Sequence, residues 1–196
     1  MCAIFQLGRE DEEDLRAICV EIARKYGGQS AADCLERDIY PGGTAIVSGG
    51  GRRAALMQWG FPLRNSARPV FNARAESLTE RPMFRAVLPH RCLVPATLFY
   101  EFDREHRRYR IALPGRRLFY LAGLWAAFRR PDGSTGFRFT VVTTPPNRQI
   151  GAFHDRMPAV LTPETAPVWM GAAPDSLSVL RPLEEAMAIQ PVSGKG

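Results

Sequence analysis

Two stretches decide the fold: Tyr109–Phe128, YRIALPGRRLFYLAGLWAAF, and Phe137–Thr144, FRFTVVTT. Apolar residues in them alternate or run on continuously, which is how half-buried and fully buried strands read. Pro114-Gly115 divides the first stretch, and Pro131-Asp132-Gly133 lies between the two. Both are turn-forming clusters, so the pattern predicts β-hairpins at each. Further out, CLVPATLFYEF (92–102) reads as a buried strand, ALMQWGF (55–61) as another, Thr44–Val47 as a short one, and AMAIQPVS (186–193) as a closing strand. RNSARPV (64–70) reads as a loop. FNARAESLTERPMF (71–84) has no clear period, and Pro82 interrupts any helix there.

Residues 11–26, DEEDLRAICVEIARKY, are the clearest helix. Leu15, Ile18, Cys19, Ile22 and Tyr26 share one face, and acidic residues crowd the first turn. Arg24 and Lys25 occupy the last turn, as the helix dipole favours, and Gly27-Gly28 ends the helix. TPETAPVWM (162–170) starts like a capping box, Thr162 with Glu164 and Thr165, and reads as a short helix. No repeat, low-complexity tract or linker interrupts the chain. The expectation is one α+β domain over residues 1–196, mainly antiparallel strands in a barrel-like sheet with flanking helices.

At 196 residues, 45% of them hydrophobic and 23% charged, the chain can bury a proper core. No apolar run approaches about 18 residues, so no transmembrane helix is expected. MCAIFQL is too short for a secretory leader, lacks a basic start and runs into REDEED, so a cytoplasmic location is expected. Cys2, Cys19, Cys34 and Cys92 form no C-x-x-C and have no histidine at ligand spacing. Neither a metal site nor a cofactor is expected, and the cysteines read as free thiols. Cys19 and Cys92 fall in apolar settings as small core residues. The net charge is +6, and only Lys25 and Lys195 are lysines. Arginine suits phosphate through its planar fork. Genome composition explains such a bias equally well, so the charge permits a nucleic-acid partner without requiring one.

The sequence begins Met1-Cys2. Methionine is trimmed when a small residue follows it, which would leave Cys2 with a free α-amine beside its thiol. Reference pKa values of about 7.7–8.0 for the amine and about 8.5 for the thiol leave a reactive fraction of amine at neutral pH. The amine can condense with an aldehyde to an imine. The neighbouring thiol can then close on the imine carbon to give a thiazolidine, an intramolecular step. An N-terminal nucleophile can alternatively attack an amide, with its own amine as base.

Three stretches carry groups that could serve such chemistry. In FHDRMPAVL (153–161), His154 lies between apolar flanks with Asp155 and Arg156 beside it. It suits general acid–base work near neutrality, though the local sequence alone favours a structural histidine bonded to a backbone carbonyl. His106 sits in a charged solvent-facing run, and His90 sits in a loop. In LFYEF (98–102), Glu101 lies among aromatics. Pointing inward, it would have a raised pKa suited to proton transfer; strand alternation allows it to face solvent instead. FNARAES (71–77) gathers Asn72, Arg74 and Glu76, a carbonyl-orienting amide beside a phosphate-gripping guanidinium, or simply a polar loop.

The order Met-Cys, then W-G at 59–60, N-A-R-x-E at 72–76, C-L-V-P-A-x-x-F-Y-E at 92–101 and H-D-R-M-P at 154–158 resembles the SOS response-associated peptidase (SRAP) family. That family includes abasic-site DNA–protein crosslink proteins. The resemblance implies single-stranded DNA with abasic sites as partner and a thiazolidine between Cys2 and the ring-opened sugar. It implies Asn72 orienting the sugar or the N-terminus, and Glu101 and His154 transferring protons, with His154 opening the sugar ring. It also implies Arg74 and Arg156 holding phosphates, and Trp59 in the DNA-binding set. The peptidase label implies autocatalytic exposure of Cys2, and an imine intermediate would allow lyase chemistry. A monomer is expected, associated with the nucleoid. Where the family carries Gly-Arg after the cysteine, this chain has Ala3-Ile4. Where the family carries an asparagine before a proline turn, it has Asp38, whose charge is unfavourable near phosphate.

Two other readings stay open on the sequence. An N-terminal-nucleophile amidohydrolase would also use Cys2, on an amide. A non-covalent nucleic-acid binder would make Cys2 incidental.

Overall fold

A computed structural model describes residues 2–8, 13–49, 53–63, 66–130, 132–171 and 174–192. Five strands close into a barrel: β3 (Thr44–Ser48), β4 (Ala54–Trp59), β8 (Arg91–Ala96), β11 (Phe119–Arg129) and β12 (Thr135–Thr144). Their order is β12-β4-β3-β8-β11, and β11 pairs back onto β12 to complete the ring. All neighbours are antiparallel except β4 and β12, which run parallel with Phe139 opposite Trp59. Three short strands extend the ring. β7 (Asn72–Arg74) lies parallel to β12, β13 (Met157–Pro158) pairs with β12, and β14 (Val160–Leu161) pairs with β11.

A second sheet of five strands has the order β15-β10-β9-β1-β2: Ala188–Pro191, Arg108–Ala112, Leu98–Phe102, Ile4–Gln6 and Asp38–Ile39. The N-terminal strand β1 is thus held between β9 and β2, with Ile4 opposite Tyr100. β5 (Phe61–Leu63) and β6 (Ser66–Val70) form a separate pair. The α+β, barrel-like expectation is met.

Several local expectations are corrected. The turn at Pro114-Gly115 forms, with Gly115 at φ +74, but closes no hairpin. β10 is occupied on its two edges by β9 and β15, and β11 by β8 and β12, so their strands enter different sheets. The second hairpin does form, in register from Gly123 opposite Val141 to Arg129 opposite Thr135. Asp132 Oδ1 accepts from the Ser134 amide at 2.8 Å, and Gly133 takes φ +82, the turn chemistry this tight reversal needs. The stretch 92–102 is two strands, β8 and β9, broken at Thr97. Its amide and hydroxyl both donate to the Gln6 carbonyl, at 2.9 and 3.2 Å.

Residues 55–61 also divide, at Gly60. Its φ of +109 suits glycine, and a Cβ there would stand 2.7 Å from Cβ of Pro69. Pro69 belongs to β6, so Ser66–Val70 is a strand and not the expected loop; Arg64 and Asn65 lie outside the described residues. Pro82 does not interrupt a helix but begins one, α3 (Pro82–Val87), where its missing N–H costs nothing.

The long helix α1 is Glu13–Tyr26; Asp11 and Glu12 lie outside the described residues. Leu15 and Ile22 are buried with Ile18 and Cys19 packed beside them, whereas Tyr26 is 43% exposed and off the core face. Gly27, at φ +90, ends α1, and a further short helix α2 (Gly28–Ala32) follows. α4 (Ala166–Met170) is shorter than expected. The Thr162 amide donates to Thr165 Oγ1 at 2.9 Å, and no side chain caps the helix N–H groups.

The barrel is filled by Trp59, Phe139, Val141, Leu121 and Phe119, with Cys2 and Phe5 entering from the second sheet. On its outer side α3 and α4 bury Phe84 and Trp169 against Leu124 and Val142. Trp169 Nε1 donates to the Cys92 carbonyl at 3.0 Å, and the Arg91 guanidinium lies over its ring at 5.0 Å. Each fully buried aromatic of this kind contributes on the order of 2–3 kcal/mol. Among the described residues no helix is long and apolar enough to cross a membrane.

Candidate active site around Cys2

Cys2 precedes β1 and is fully buried. β1 carries it to the junction of the two sheets, where three distant segments meet it. Asn72 opens β7, paired with β12 at Val141. Its Nδ2 donates to the Cys2 carbonyl at 2.8 Å, while its buried Oδ1 has no hydrogen-bond partner among the described residues. Glu101 lies on β9, next to β1, and is 1% exposed. Alternation does turn it inward, because Tyr100 on the opposite face packs with Ile4 and Leu98. His154 follows the turn at Ile150–Ala152, and its Nε2 stands 3.6 Å from Glu101 Oε2.

The electrostatics suit proton transfer. Burial pushes the Glu101 carboxyl up to about 7, against the opposing positive charge of the amino terminus. Burial also pushes the Cys2 thiol well up, and Glu101 adds to that rise, so the sulfur is held as a neutral thiol. His154 is pushed down, again chiefly by burial. A carboxyl that titrates near neutrality and a histidine held neutral, 3.6 Å apart, can each give or take a proton from a group bound between them. Among the described residues no group of three or more His, Cys, Asp or Glu side chains is placed to hold a metal ion.

A cysteine at position 2, with an asparagine, a neutral-leaning glutamate and a histidine gathered at its end of the barrel, is the arrangement the family resemblance implies. A family model described as SOS response associated peptidase (SRAP) matches residues 1–195.

The chain belongs to the SRAP family.

The abasic site processing protein YoqW of Bacillus subtilis (strain 168) is 36% identical over 155 residues, covering 72% of this chain and 69% of that protein. The abasic site processing protein HMCES of Xenopus tropicalis is 32% identical over 150 residues, covering 62% of this chain and 44% of HMCES. A crystal structure of a protein from Bacteroides thetaiotaomicron superposes with a TM-score of 0.80 at 20% identity, over 97% of this chain and 92% of that one. One from Bordetella bronchiseptica gives 0.77 at 19%, over 98% and 100%. These two likenesses concern the fold.

Within this SRAP domain, the residues expected on the DNA side fall into three settings. Arg74, at the end of β7, is exposed, and its guanidinium forms no ion pair among the described residues. Arg156 is buried instead. Its guanidinium is taken up by both carboxylate oxygens of Glu76 and by the Thr143 carbonyl, leaving it no free fork for phosphate. Trp59 is fully enclosed, stacked on Phe139, with Nε1 donating to the Phe71 carbonyl at 2.8 Å. No face of its indole is open to a base; it supports Phe71, the neighbour of Asn72, from within the barrel.

The two departures in the chain are compensated locally. Ile4 is buried against Tyr100 and Leu98. Asp38 pairs with Arg108 at 2.5 Å, and Arg108 in turn lies over the Tyr100 ring at 3.6 Å, so the carboxylate does not stand as a bare negative charge. His106 is exposed and His90 stacks on Trp125, both away from Cys2. No task for Glu76 is legible in the sequence. Its place two residues after Arg74 was the only signal, and its partner Arg156 is 80 positions away.

Proposed function

We propose that this protein processes abasic sites in single-stranded DNA by forming a covalent thiazolidine through Cys2. The observation that carries the reading is the convergence of Asn72, Glu101 and His154 on Cys2. The names of YoqW and HMCES support the lesion class.

Removal of Met1 turns the Cys2 nitrogen into an amine. The closed abasic sugar opens when a base takes the proton of its C1 hydroxyl and an acid protonates the ring oxygen, giving an aldehyde. Because the thiol is held neutral by burial, the amine attacks first. Its lone pair forms the C–N bond, and the carbonyl oxygen becomes a hydroxyl. That hydroxyl leaves as water with a proton from the Glu101–His154 pair, producing an imine. Sγ then adds to C1, the S–H proton returns through the pair to nitrogen, and the ring closes. One C–N and one C–S bond form, one water leaves, and nothing is oxidised or reduced. Holding amine and sulfur on one residue makes the second addition intramolecular. Closure also consumes the imine from which β-elimination of the 3′ phosphate would proceed, so lyase activity is the minor branch.

Asn72 holds the Cys2 carbonyl and thereby the direction of the reacting nitrogen. The exposed Arg74 contributes a phosphate contact, with salt-sensitive, sequence-tolerant binding as the consequence. The test is denaturing electrophoresis after mixing wild-type protein with a single-stranded oligonucleotide carrying one abasic site. A heat-stable shifted band that Cys2→Ala abolishes supports the reading. Cys2→Ser can form an imine but no thiazolidine, so a heat-stable band from that variant would overturn it. Turnover of acyl-amides without a DNA adduct would point to the amidohydrolase instead.

A further inference from the structure

Arg156 is held from two sides. Nη1 donates to Oε1 of Glu76 at 2.7 Å, and Nη2 donates to Oε2 at 3.0 Å and to the Thr143 carbonyl at 2.8 Å. This bidentate arrangement, buried on the Arg156 side and half exposed at Glu76, ties together the turn Ala75–Ser77, strand β12 and the segment that carries His154. The backbone of the same residue faces the His154 ring. The Arg156 carbonyl stands 2.8 Å from Nδ1, and the Arg156 amide N–H donates to the same nitrogen at the longer distance of 3.2 Å. Asp155 Oδ1 is 3.7 Å from Nδ1, beyond hydrogen-bond reach, and its side chain is 90% exposed. The carbonyl contact is the shorter, and a carbonyl only accepts; it is a hydrogen bond when Nδ1 carries the proton, which in the neutral ring leaves the lone pair on Nε2. Nε2 is the nitrogen that faces Glu101.

We propose that Glu76 and Arg156 are positioning residues that pin the Arg156 carbonyl against Nδ1, lock His154 in its Nδ1–H tautomer, and present an unprotonated Nε2 to the Cys2 site. The proposal rests on the reading that Glu101 and His154 carry the proton traffic of abasic-site capture. It divides that traffic. Nε2 takes the proton from the C1 hydroxyl when the sugar opens, and Glu101 delivers the proton to the leaving oxygen. His154 acts as an acid only after it has first acted as a base. The guanidinium of Arg156 therefore serves the reaction without touching DNA.

The test is the tautomer itself, read from long-range proton–nitrogen correlation spectra of the ¹⁵N-labelled full chain at about pH 8. The chain has only three histidines, His90, His106 and His154, so assignment needs one spectrum of a His154→Ala control. The expected wild-type result is a pyrrole-type Nδ1 and a pyridine-type Nε2 for His154. Glu76→Ala is expected to mix the two tautomers and to slow crosslinking about 10-fold or more, as loss of sub-ångström placement does. Glu76→Gln, whose amide oxygen still accepts from Arg156, is expected to restore the wild-type tautomer and most of the rate. Arg156→Lys keeps the charge but loses the fork, and is expected to behave as Glu76→Ala does; it carries the test should that variant not fold. A wild-type Nε2–H tautomer, or a tautomer unchanged in both Glu76→Ala and Arg156→Lys, would overturn the proposal. The spectra need no DNA. Wild-type protein with the expected tautomer but no adduct would fault the abasic-site reading alone. A normal adduct with an unmoved tautomer would fault the positioning alone.

Discussion

The side-chain amide of Asn72 donates to the main-chain carbonyl of Cys2 at 2.8 Å, across 70 positions of sequence. This bond joins the barrel, through β7, to the N-terminal segment that the second sheet delivers. It holds Cys2, two residues before β1, on the barrel side of the junction. Replacing Asn72 by Ala removes a bond worth about 1 kcal/mol. The expected outcome is a loss of crosslinking rate of about 10-fold with little change in melting temperature. Asn72→Asp sets a carboxylate against a carbonyl, acceptor against acceptor, and is expected to be slower still. Single-turnover kinetics on an abasic oligonucleotide would read both.

Glu101 provides a pH prediction. Its folded-state pKa is raised from the ordinary 4.5 to about 7. Between those values the folded protein holds a proton that the unfolded chain has released, so stability falls as pH rises through this window. The loss levels off above about pH 7 at a total of about 3 kcal/mol. Glu101→Gln removes the titration. Urea midpoints of the two proteins compared from pH 4.5 to pH 8 should therefore diverge in the variant's favour as pH rises. Parallel curves would contradict a buried, raised carboxyl.

His154→Ala should slow adduct formation by about 10²–10⁴, the usual worth of a general acid–base group. Imidazole is small enough to enter a site vacated by the ring, and partial rescue by added imidazole would separate lost chemistry from lost packing. Wild-type rates in the variant would remove His154 from the mechanism.

Gly60 tests the architecture. Its backbone is left-handed, and a methyl group there would meet the Pro69 ring. Gly60→Ala should destabilise the protein by about 1–3 kcal/mol, and more if β6 cannot shift away. Thermal unfolding measures this directly. Because Gly60 follows Trp59, which supports the Asn72 segment, a slower crosslinking rate should accompany the lower melting temperature.

What the sequence revealed of the fold followed the range of the interactions that decide it. The β11–β12 hairpin was legible because Asp132-Gly133-Ser134 makes its own turn. The absence of a β10–β11 hairpin was not, because the partners that occupy their edges are far away in sequence. The run from Cys92 to Phe102 is apolar throughout, and nothing in its composition marks Thr97 as the point where the chain leaves one sheet for another. In the site, Cys2, Asn72, Glu101 and His154 were legible as residue types, and the structure brings all four together. The burial of Arg156 was not legible, because an arginine reads as a surface phosphate ligand until Glu76 is seen beside it. Trp59 read as a ligand contact for the same reason: its enclosure depends on Phe139 and Phe5, which local sequence does not bring near.

Capture of an abasic site by Cys2 is tested most directly by intact-protein mass spectrometry before and after incubation with a single-stranded oligonucleotide bearing one abasic site. Capture through Cys2 requires a protein lacking Met1 and, after incubation, a new species at the mass of protein plus oligonucleotide minus one water, absent with Cys2→Ala. A protein that has lost Met1, is folded and still forms no such species would contradict it.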